Sequence, residues 1–349
     1  MQISDFYELC LRKGVAFFSF RSEGKKLHTG VCVEHSGVKR NGGINEIPDD
    51  CYVVAKFDIK NGFYSIKDDY NFDGEEVPIY ICQMIENMDD CKCEKSGHPY
   101  NMGREEYEEL LENSIKEIEN CLYDKIVYSR AKTVELSERN PIKTVVEDSC
   151  RCFFNIFSLG NGICWLGRTP ELLLAHRNGS YKTMALAGTR KISEHKEVWD
   201  EKNIIEQGYV SDYIENILLE FEAKNIRKSA GTLDYKNIQH VVTDFSFEIE
   251  TCNHDKLIKR LHPTPAVCGW PKENAFERII ANEGYDRGFY AGLTGYYKNE
   301  TDFSLYVNLR CMMIGGGKVT AFAGGGITAK SEPKKEWEET EIKIKTILN

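Results

Sequence analysis

The chain lacks long apolar runs. No stretch of its 349 residues approaches the roughly 18 consecutive apolar residues that a membrane-spanning helix needs. The opening MQISDFYELCLRKG also lacks the apolar segment of a signal peptide. We therefore expect a cytoplasmic protein with no membrane partner.

Clusters of basic residues are also missing. The chain has 45 lysines and arginines against 55 aspartates and glutamates, a formal net charge of -10, and its basic residues are scattered among acidic ones. Such a chain repels a polyanion rather than gathering it. The sequence therefore argues against a nucleic-acid partner.

No Pro-, Ser- or Gly-rich linker interrupts the chain after Arg104, so we predict one domain over residues 1–349. Its N-terminal portion, residues 1–103, contains short apolar runs such as CYVVAKFDI and EEVPIYICQMI, which are typical of loosely connected antiparallel strands. Residues 104–349 contain the motifs that indicate chemistry. We expect the N-terminal portion to be variable and to contribute little to a site.

The remaining segments alternate between strand and helix patterns. We predict a helix from Arg104, a strand at KIVYSRAKTVEL, and a long helix over roughly 197–223. After the helix PKENAFERIIANEG come three strands, FYAGLTGYY, DFSLYVNLRCMMI and KVTAFAGG, and a last helix. Groups of strands with helices set between them indicate an α+β domain built on antiparallel sheets.

The last helix contains the acidic stretch EWEETEIK. At helical spacing Glu336, Glu339 and Lys343 share one face, beside an apolar stripe that includes Trp337 and Ile344. The simplest interpretation is a solvated helix in which a Glu339–Lys343 pair contributes about 0.2–0.5 kcal/mol.

The long central helix makes a second interpretation possible. Glu206 is in line with Val210, Tyr213 and Ile217, on the stripe that should be buried. A buried carboxylate must be paired, neutralised or bound to a metal. An ion pair is the simplest solution, but carboxylates from two helices also suit Mg²⁺.

The segment AFAGGGITAKS has three consecutive glycines, which let backbone N–H groups approach an anion closely. Residues 324–331 also nearly match the phosphate-loop pattern GxxxxGK[ST], with Ala329 in place of the second glycine. A nucleotide-binding switch is therefore an alternative function, although too little chain follows Ser331 for the rest of such a domain.

Arg310 alternates with apolar residues in FSLYVNLRC. The alternation places it on the polar face of a strand together with Ser304, Tyr306 and Asn308. It either clamps a carboxylate or faces solvent on the sheet surface.

Several motifs together resemble those of the chorismate-utilising enzymes. This family includes isochorismate synthase, salicylate synthase and the large subunits of anthranilate and aminodeoxychorismate synthases. The resemblance runs from about Lys125 to the C-terminus. It rests on the motifs KIVYSR, GRTPELLL, ALAGTR, QHVVT, LHPTPAVCGWPK, YDRGFYAGLTGY, LRC, FAGGGI and EWEETEIK, in that order.

The resemblance implies a single domain of two antiparallel sheets with helices packed outside, and a Mg²⁺-dependent site for chorismate. It implies that Glu206 and Glu339 bind the metal, with Glu336 in support. The residues that it implies contact the substrate are Gly188, Thr189, His240, Tyr290, Arg310, Gly324, Gly326 and Lys343.

In the isochorismate-forming members, the lysine matching Lys125 activates water and the glutamate matching Glu171 protonates the departing hydroxyl. These roles require a lysine pKa below its usual value and a glutamate pKa above its usual value, and burial shifts both in that direction. Without the resemblance, Lys125 resembles a strand-edge lysine and Glu171 a turn residue after Pro170.

Ala266 points to one branch of the family. Related anthranilate and salicylate synthases resemble one another in having threonine at this position, and aminodeoxychorismate synthases tend to have a lysine nucleophile. Alanine is typical of isochorismate synthases and can do neither kind of chemistry. We expect isochorismate formation, for menaquinone or siderophore synthesis, by a monomer without a glutaminase subunit; a salicylate or anthranilate synthase is the alternative.

The chain departs from the family pattern at four positions. Asn203 stands where many relatives have a second acid, Gln207 replaces a frequent histidine, Gly325 replaces an alanine, and Arg168 replaces a small residue. The loss of an acid at Asn203 is expected to weaken Mg²⁺ binding.

Overall fold

The computed structural model describes residues 1–91, 97–136, 141–142, 152–192, 198–235 and 238–348. Seven α-helices are found in these residues: α1 Ile3–Lys13, α2 Ile79–Glu86, α3 Arg104–Glu119, α4 Glu201–Glu220, α5 His254–Leu261, α6 Lys272–Asn282 and α7 Pro333–Leu348. None of the described helices is both long and apolar enough to cross a membrane.

Eighteen strands are found in the same residues. The first nine are β1 Ala16–Arg21, β2 His28–Cys32, β3 Val38–Asn41, β4 Cys51–Ala55, β5 Phe63–Ile66, β6 Tyr70–Asp73, β7 Lys125–Glu135, β8 Phe153–Leu159 and β9 Cys164–Thr169. The others are β10 Leu172–Arg177, β11 Ser180–Lys191, β12 Lys224–Tyr235, β13 Ile238–Glu248, β14 Gly269–Trp270, β15 Leu293–Asn299, β16 Asp302–Val307, β17 Cys311–Gly315 and β18 Lys318–Ile327.

The strands form two sheets of nine strands each, which confirms the predicted α+β class. The first sheet has the order β14-β7-β18-β17-β9-β8-β1-β2-β6, and the second has the order β12-β13-β11-β10-β16-β15-β4-β5-β3. Strands of the N-terminal portion extend both sheets. Helix α4 packs on β11 of the second sheet, and α7 packs on β18 of the first and on α3.

The core lies between the two sheets. Aromatic rings from opposite sheets stack there: Phe18 on Tyr52 with centroids 4.9 Å apart, and Phe153 on Tyr306 at 4.1 Å. A second apolar cluster lies under α1 and α2, where Tyr7 stacks on Phe17 of β1. Burial of these large rings is a major source of stability.

The chain changes sheets at two short connections that matter for the site. Strand β9 of the first sheet leads through Pro170 and Glu171 into β10 of the second. Strand β16 of the second sheet leads through residues 308–310 into β17 of the first. Both connections lie where the two sheets meet, so each brings a polar residue to the junction of the sheets.

The second connection corrects the predicted strand DFSLYVNLRCMMI. Asn308 is fully buried and donates from Nδ2 to the Phe289 carbonyl, and its backbone pairs with Ala291 and Gly292. Arg310 has a positive φ of 48°. The chain therefore turns between sheets here, and Arg310 does not lie on a polar strand face beside Ser304.

Two further elements differ from the sequence prediction. The apolar run EEVPIYICQMI contains helix α2, in which Ile81, Cys82 and Ile85 are buried at helical spacing. The hairpin of β12 and β13 is missing from the prediction, because β12 is exposed along most of its length and shows no apolar alternation. Helices α3, α6 and α7 and strand β7 follow the predicted pattern.

Candidate active site

A cavity of about 390 Å³ opens between the sheet junction, α4 and α7. This volume is in the range of small-molecule sites. Thirteen of the fourteen residues predicted for the site line it, namely Glu171, Gly188, Thr189, Glu206, His240, Ala266, Tyr290, Arg310, Gly324, Gly326, Glu336, Glu339 and Lys343. The fourteenth, Lys125, lies directly behind the lining.

Lys125 is the first residue of β7 and is fully buried between β14 and β18. Its Nζ lies 3.0 Å from Oε1 of Glu206, without a regular hydrogen bond. A Cβ on Gly326 would lie 3.2 Å from Cε of Lys125 and 2.3 Å from the same Glu206 oxygen. The lack of a side chain at Gly326 therefore leaves room for Lys125 and Glu206 to meet. Because β7 has a neighbouring strand on each side, Lys125 is not a strand-edge lysine.

Glu171 lies in the β9–β10 connection and is only 3% exposed. Thr264 donates from Oγ1 to its Oε1 at 3.3 Å. Burial raises the pKa of Glu171 to about 7, although the Thr264 hydrogen bond and the Lys125 charge oppose the rise. A large fraction of this carboxyl group is therefore protonated at neutral pH. We refer to Lys125 and Glu171 as the floor pair.

The three consecutive glycines lie inside strand β18, opposite Val127, Tyr128 and Ser129 of β7. A regular strand cannot wrap a phosphate group as a loop does, so the phosphate-loop interpretation is wrong. The pairing of β18 with β17 ends at Ala321, which leaves the glycine segment at the cavity. The Gly324 carbonyl accepts a hydrogen bond from Nζ of Lys343 at 2.8 Å.

A bulge in β11 shapes another wall of the cavity. The register between β11 and β13 shifts between Ala187 and Arg190, and Gly188 has a φ of 71° there. The Gly188 carbonyl accepts from Nδ1 of His240 at 2.9 Å, while Nε2 of His240 is 3.1 Å from Nη2 of Arg310. Burial and the Arg310 charge lower the pKa of His240 to about 3. His240 is therefore a neutral imidazole that orients Arg310.

Three carboxylates face the cavity from two helices, Glu206 from α4 and Glu336 and Glu339 from α7. We refer to them as the carboxylate cluster. Burial raises the pKa of Glu336, whereas the Lys343 ammonium lowers the pKa of Glu339. Each carboxylate has its own lysine: Glu206 with Lys125 at 3.0 Å, Glu336 with Lys202 at 2.8 Å, and Glu339 with Lys343 at 2.7 Å.

The position of Glu336 corrects the predicted arrangement of α7. Glu336 is on the buried side of this helix together with Thr340, Ile344 and Ile347, and only 3% of it is exposed. Trp337 is only partly buried. Glu336 can lie on the buried side of the helix for two reasons. It has a counter-charge, and the cavity gives it a polar surface next to the core.

Lys202 is a cavity residue that the sequence analysis missed. Burial alone would lower its pKa, but the charges of Glu336, Glu206 and Glu339 raise it above the ordinary value. Its i, i+4 spacing to Glu206 was available in the sequence as a signal. Its contact with Glu336, across 134 positions of the chain, was not.

The donor atoms of the carboxylate cluster fit a hard cation, since Mg²⁺ prefers carboxylate oxygens and leaves positions for water and substrate. The ligands are not already gathered, however. In the described parts of the chain, no three His, Cys, Asp or Glu side chains lie close enough together to hold a metal ion. Mg²⁺ at Glu206, Glu339 and Glu336 stays a prediction.

The departures from the family pattern have local explanations. Asn203 accepts from the Thr189 N–H at 3.0 Å and donates to Asp200 at 2.7 Å; an aspartate could not make this donation. Gln207 is buried and donates to Thr243. A Cβ on Gly325 would lie 3.2 Å from a Glu336 oxygen. Nothing in the structure explains the arginine at position 168.

A buried ion pair outside the cavity supports its lining. Arg287 and Glu283 are each at most 3% exposed and paired with each other. Arg287 also donates to the carbonyls of Val127 and Val267 at 2.7 and 2.8 Å. These two residues line the cavity, so the pair ties strand β7 to the segment that contains Ala266.

Comparison with known proteins gives the family. A family model described as "Chorismate binding enzyme" matches residues 80–349. The chain belongs to the chorismate-binding enzymes. The match begins within the portion that was expected to be variable, and the boundary at residues 103 and 104 stays a prediction.

Curated relatives are similar over most of this chain. Isochorismate synthase MenF of Bacillus subtilis is 29% identical over 265 residues, which is 71% of this chain and 56% of the relative. The vibriobactin-specific isochorismate synthase of Vibrio cholerae is 28% identical over 262 residues, 70% of this chain and 66% of the relative. The chain thus spans little more than half to two thirds of the length of these relatives.

Solved structures show the same fold. The menaquinone-specific isochorismate synthase MenF from Escherichia coli superposes with a TM-score of 0.79 at 20% identity, covering 98% of this chain and 91% of that one. The structure of a DhbC from Bacillus anthracis gives 0.77 at 21% identity, covering 98% of both chains. At these identities the likeness establishes the two-sheet architecture alone.

Proposed function

We propose that the protein is an isochorismate synthase, which converts chorismate to isochorismate with Mg²⁺. The observation that carries the proposal is the floor pair: a fully buried lysine behind the cavity lining and, in the lining itself, a glutamic acid with a pKa of about 7. The relatives with the names quoted above support the same activity.

The reaction adds one water to the ring and removes one hydroxyl. Lys125 takes a proton from the attacking water, while protonated Glu171 gives its proton to the departing hydroxyl, which leaves as water. The proton balance is closed, because one proton is taken up and one is given per turnover. Thr264 holds one oxygen of Glu171, so the other oxygen is the one that gives the proton.

The substrate has two carboxylates, and the cavity offers a positive group for each. Arg310, oriented by His240, binds the enolpyruvyl carboxylate with the help of Tyr290. Mg²⁺, when held by Glu206 and Glu339 with Glu336 in support, supplies the charge that neutralises the ring carboxylate. Lys343 is at the same wall of the cavity.

Ala266 favours isochorismate over other products of the family. Its methyl group lines the cavity with Val127 and Val267. It offers neither an amine that could attack the ring nor a hydroxyl that could assist loss of pyruvate. Addition of water without lyase chemistry is the outcome that this lining supports.

The test is to incubate the purified protein with chorismate and MgCl₂ and to separate the products. Isochorismate that reaches equilibrium with chorismate is expected. Salicylate plus pyruvate, or anthranilate when ammonia is supplied, would overturn the proposal in favour of the alternative branch. The use of the product for menaquinone or for a siderophore, the monomeric state and the lack of a glutaminase subunit stay predictions.

A further inference from the structure

Each member of the carboxylate cluster has one of the protein's own lysines beside it. Glu206, Glu336 and Glu339 each have a lysine Nζ within 3.0 Å. A divalent cation therefore cannot simply be added to three free carboxylates. It must take at least one carboxylate from a lysine, which agrees with the lack of a ready group of three ligands in the described residues.

The three lysines differ in how easily they can leave. Lys125 is enclosed, with a side chain that is 0% exposed. Lys343 is tied to the Gly324 carbonyl as well as to Glu339. The Lys202 side chain lines the cavity and is 36% exposed. Moving Lys202 into water therefore requires the least exposure of buried surface, and it breaks fewer contacts than moving Lys343 would.

Glu336 requires a counter-ion whenever it is ionised. It is 3% exposed, and an unpaired charge at such a position is strongly destabilising. Lys202 on α4 meets this need in the structure by reaching across to α7. A lysine ammonium is a compact charge on a flexible stem, so the same side chain can turn to solvent when another cation neutralises Glu336.

We propose that Lys202 is the exchangeable counter-ion of the carboxylate cluster: it neutralises Glu336 in the metal-free protein and leaves when a divalent cation binds. This inference rests on the proposed function, because it takes the carboxylate cluster as the site of the cation. It assigns to Lys202 a role in setting metal affinity rather than a role in the chemical step.

The experiment titrates the protein with MnCl₂ alone, without chorismate, and follows binding by calorimetry and by the EPR signal of free Mn²⁺. The variant Lys202→Met removes the ammonium but keeps the length of the side chain, and Lys202→Arg keeps the charge. The matched control is Lys335→Met. Lys335 lines the same cavity but pairs with Glu332 at 2.6 Å instead of a member of the carboxylate cluster.

We expect Lys202→Met to bind Mn²⁺ about five to ten times more tightly than the wild type, because a competing ion pair has been removed. Lys202→Arg should bind no more tightly than the wild type. Lys335→Met should change the affinity by less than about twofold. The Lys335 charge reaches the carboxylate cluster only at long range, and salt in the solvent screens it.

Equal effects of Lys202→Met and Lys335→Met would overturn the inference, since only the long-range field would then matter. Unchanged or weaker Mn²⁺ binding by Lys202→Met would also overturn the inference. In that case, Mn²⁺ binding by the wild type would still leave the proposed function intact. If neither the wild type nor the variants bind Mn²⁺, the metal part of the proposed function fails as well.

A structure of the wild type with and without Mn²⁺ gives a test that does not depend on folding of the variants. The distance from Nζ of Lys202 to Oε1 of Glu336, which is 2.8 Å here, should stay short without Mn²⁺ and lengthen beyond hydrogen-bond range with Mn²⁺ bound. An unbroken pair beside a bound cation would contradict the exchange.

Discussion

The floor pair and the carboxylate cluster lie at the same cavity but control charge in opposite ways. Glu171 is surrounded by the core, and burial raises its pKa to about 7. Glu339, on a helix, has Lys343 four residues later, and that charge lowers its pKa. The same type of residue is therefore easier to protonate than usual in one place and harder to protonate in the other.

The difference follows from where the backbone puts each group. Glu171 is in a connection between two sheets, where solvent and counter-charges are scarce, whereas the carboxylate cluster is on helices that also carry lysines. Desolvation favours the neutral acid and nearby ammonium groups favour the carboxylate. If the floor pair and the carboxylate cluster are independent, changes at one should leave the charges of the other unaltered.

The largest expected effect is at the floor pair. Lys125→Ala should lower kcat about 10²–10⁴-fold, the usual contribution of a general base, while circular dichroism and thermal melting show a folded protein. Lys132→Ala in the same strand β7 is the matched control, since its side chain is 39% exposed and remote from the proposed reaction. Equal loss of activity in both variants would contradict a base at Lys125.

A substitution at Gly326 can break the contact between the floor pair and the carboxylate cluster. Gly326→Ala would place a Cβ 2.3 Å from Oε1 of Glu206 and should lower kcat/KM about a hundredfold by displacing Glu206 and Lys125. Gly325→Ala, on the other face of β18, meets nothing closer than a Glu336 oxygen at 3.2 Å. Steady-state kinetics should show a much smaller loss for Gly325→Ala, and similar losses would mean that strand distortion dominates.

The raised pKa of Glu171 has a consequence for stability. A carboxyl group whose pKa is about 7 in the folded protein and near 4.5 when unfolded contributes its full stability below pH 4.5 and loses it as pH rises toward 7. Glu171→Gln should therefore gain about 2–3 kcal/mol in the free energy of unfolding, relative to the wild type, between pH 5 and pH 8. Urea denaturation at both pH values measures this gain. A difference that does not change with pH would show that Glu171 is not desolvated.

The pH profile of activity gives a smaller and more gradual effect. Because Glu171 must be protonated to act as the acid, the slope of log kcat/KM against pH should decrease by about one unit near pH 7. His240, with a pKa of about 3, should add no transition between pH 5 and 7. A profile without this change of slope would contradict the acid role of Glu171.

The sequence predicted the elements whose pattern is local. Helix α3 and strand β7 have clear periodicity, and the motif resemblance led to thirteen residues that do line one cavity. Local pattern failed where the tertiary structure decides. The run around Ile81 is equally apolar as helix or strand, and the turn at Arg310 depends on contacts that the buried Asn308 makes with distant residues.

Contacts between distant parts of the chain were the least predictable. Thr264 and Glu171 are 93 positions apart, and Lys202 and Glu336 are 134 positions apart. A pattern that repeats within one helix or strand has no information about such pairs. The identity of the residues at the site was therefore accessible from the sequence, and so was the i, i+4 pair of Glu339 and Lys343, but the pairs between distant parts of the chain were not.

The most direct test of a floor pair that adds water and removes a hydroxyl is a reaction in H₂¹⁸O. Purified protein is incubated with chorismate and MgCl₂ in labelled water, and the products are analysed by mass spectrometry. The account predicts isochorismate that contains one ¹⁸O atom, at the new hydroxyl, and labelled product that forms at least about a hundredfold more slowly with Lys125→Ala. Isochorismate without ¹⁸O would contradict the account.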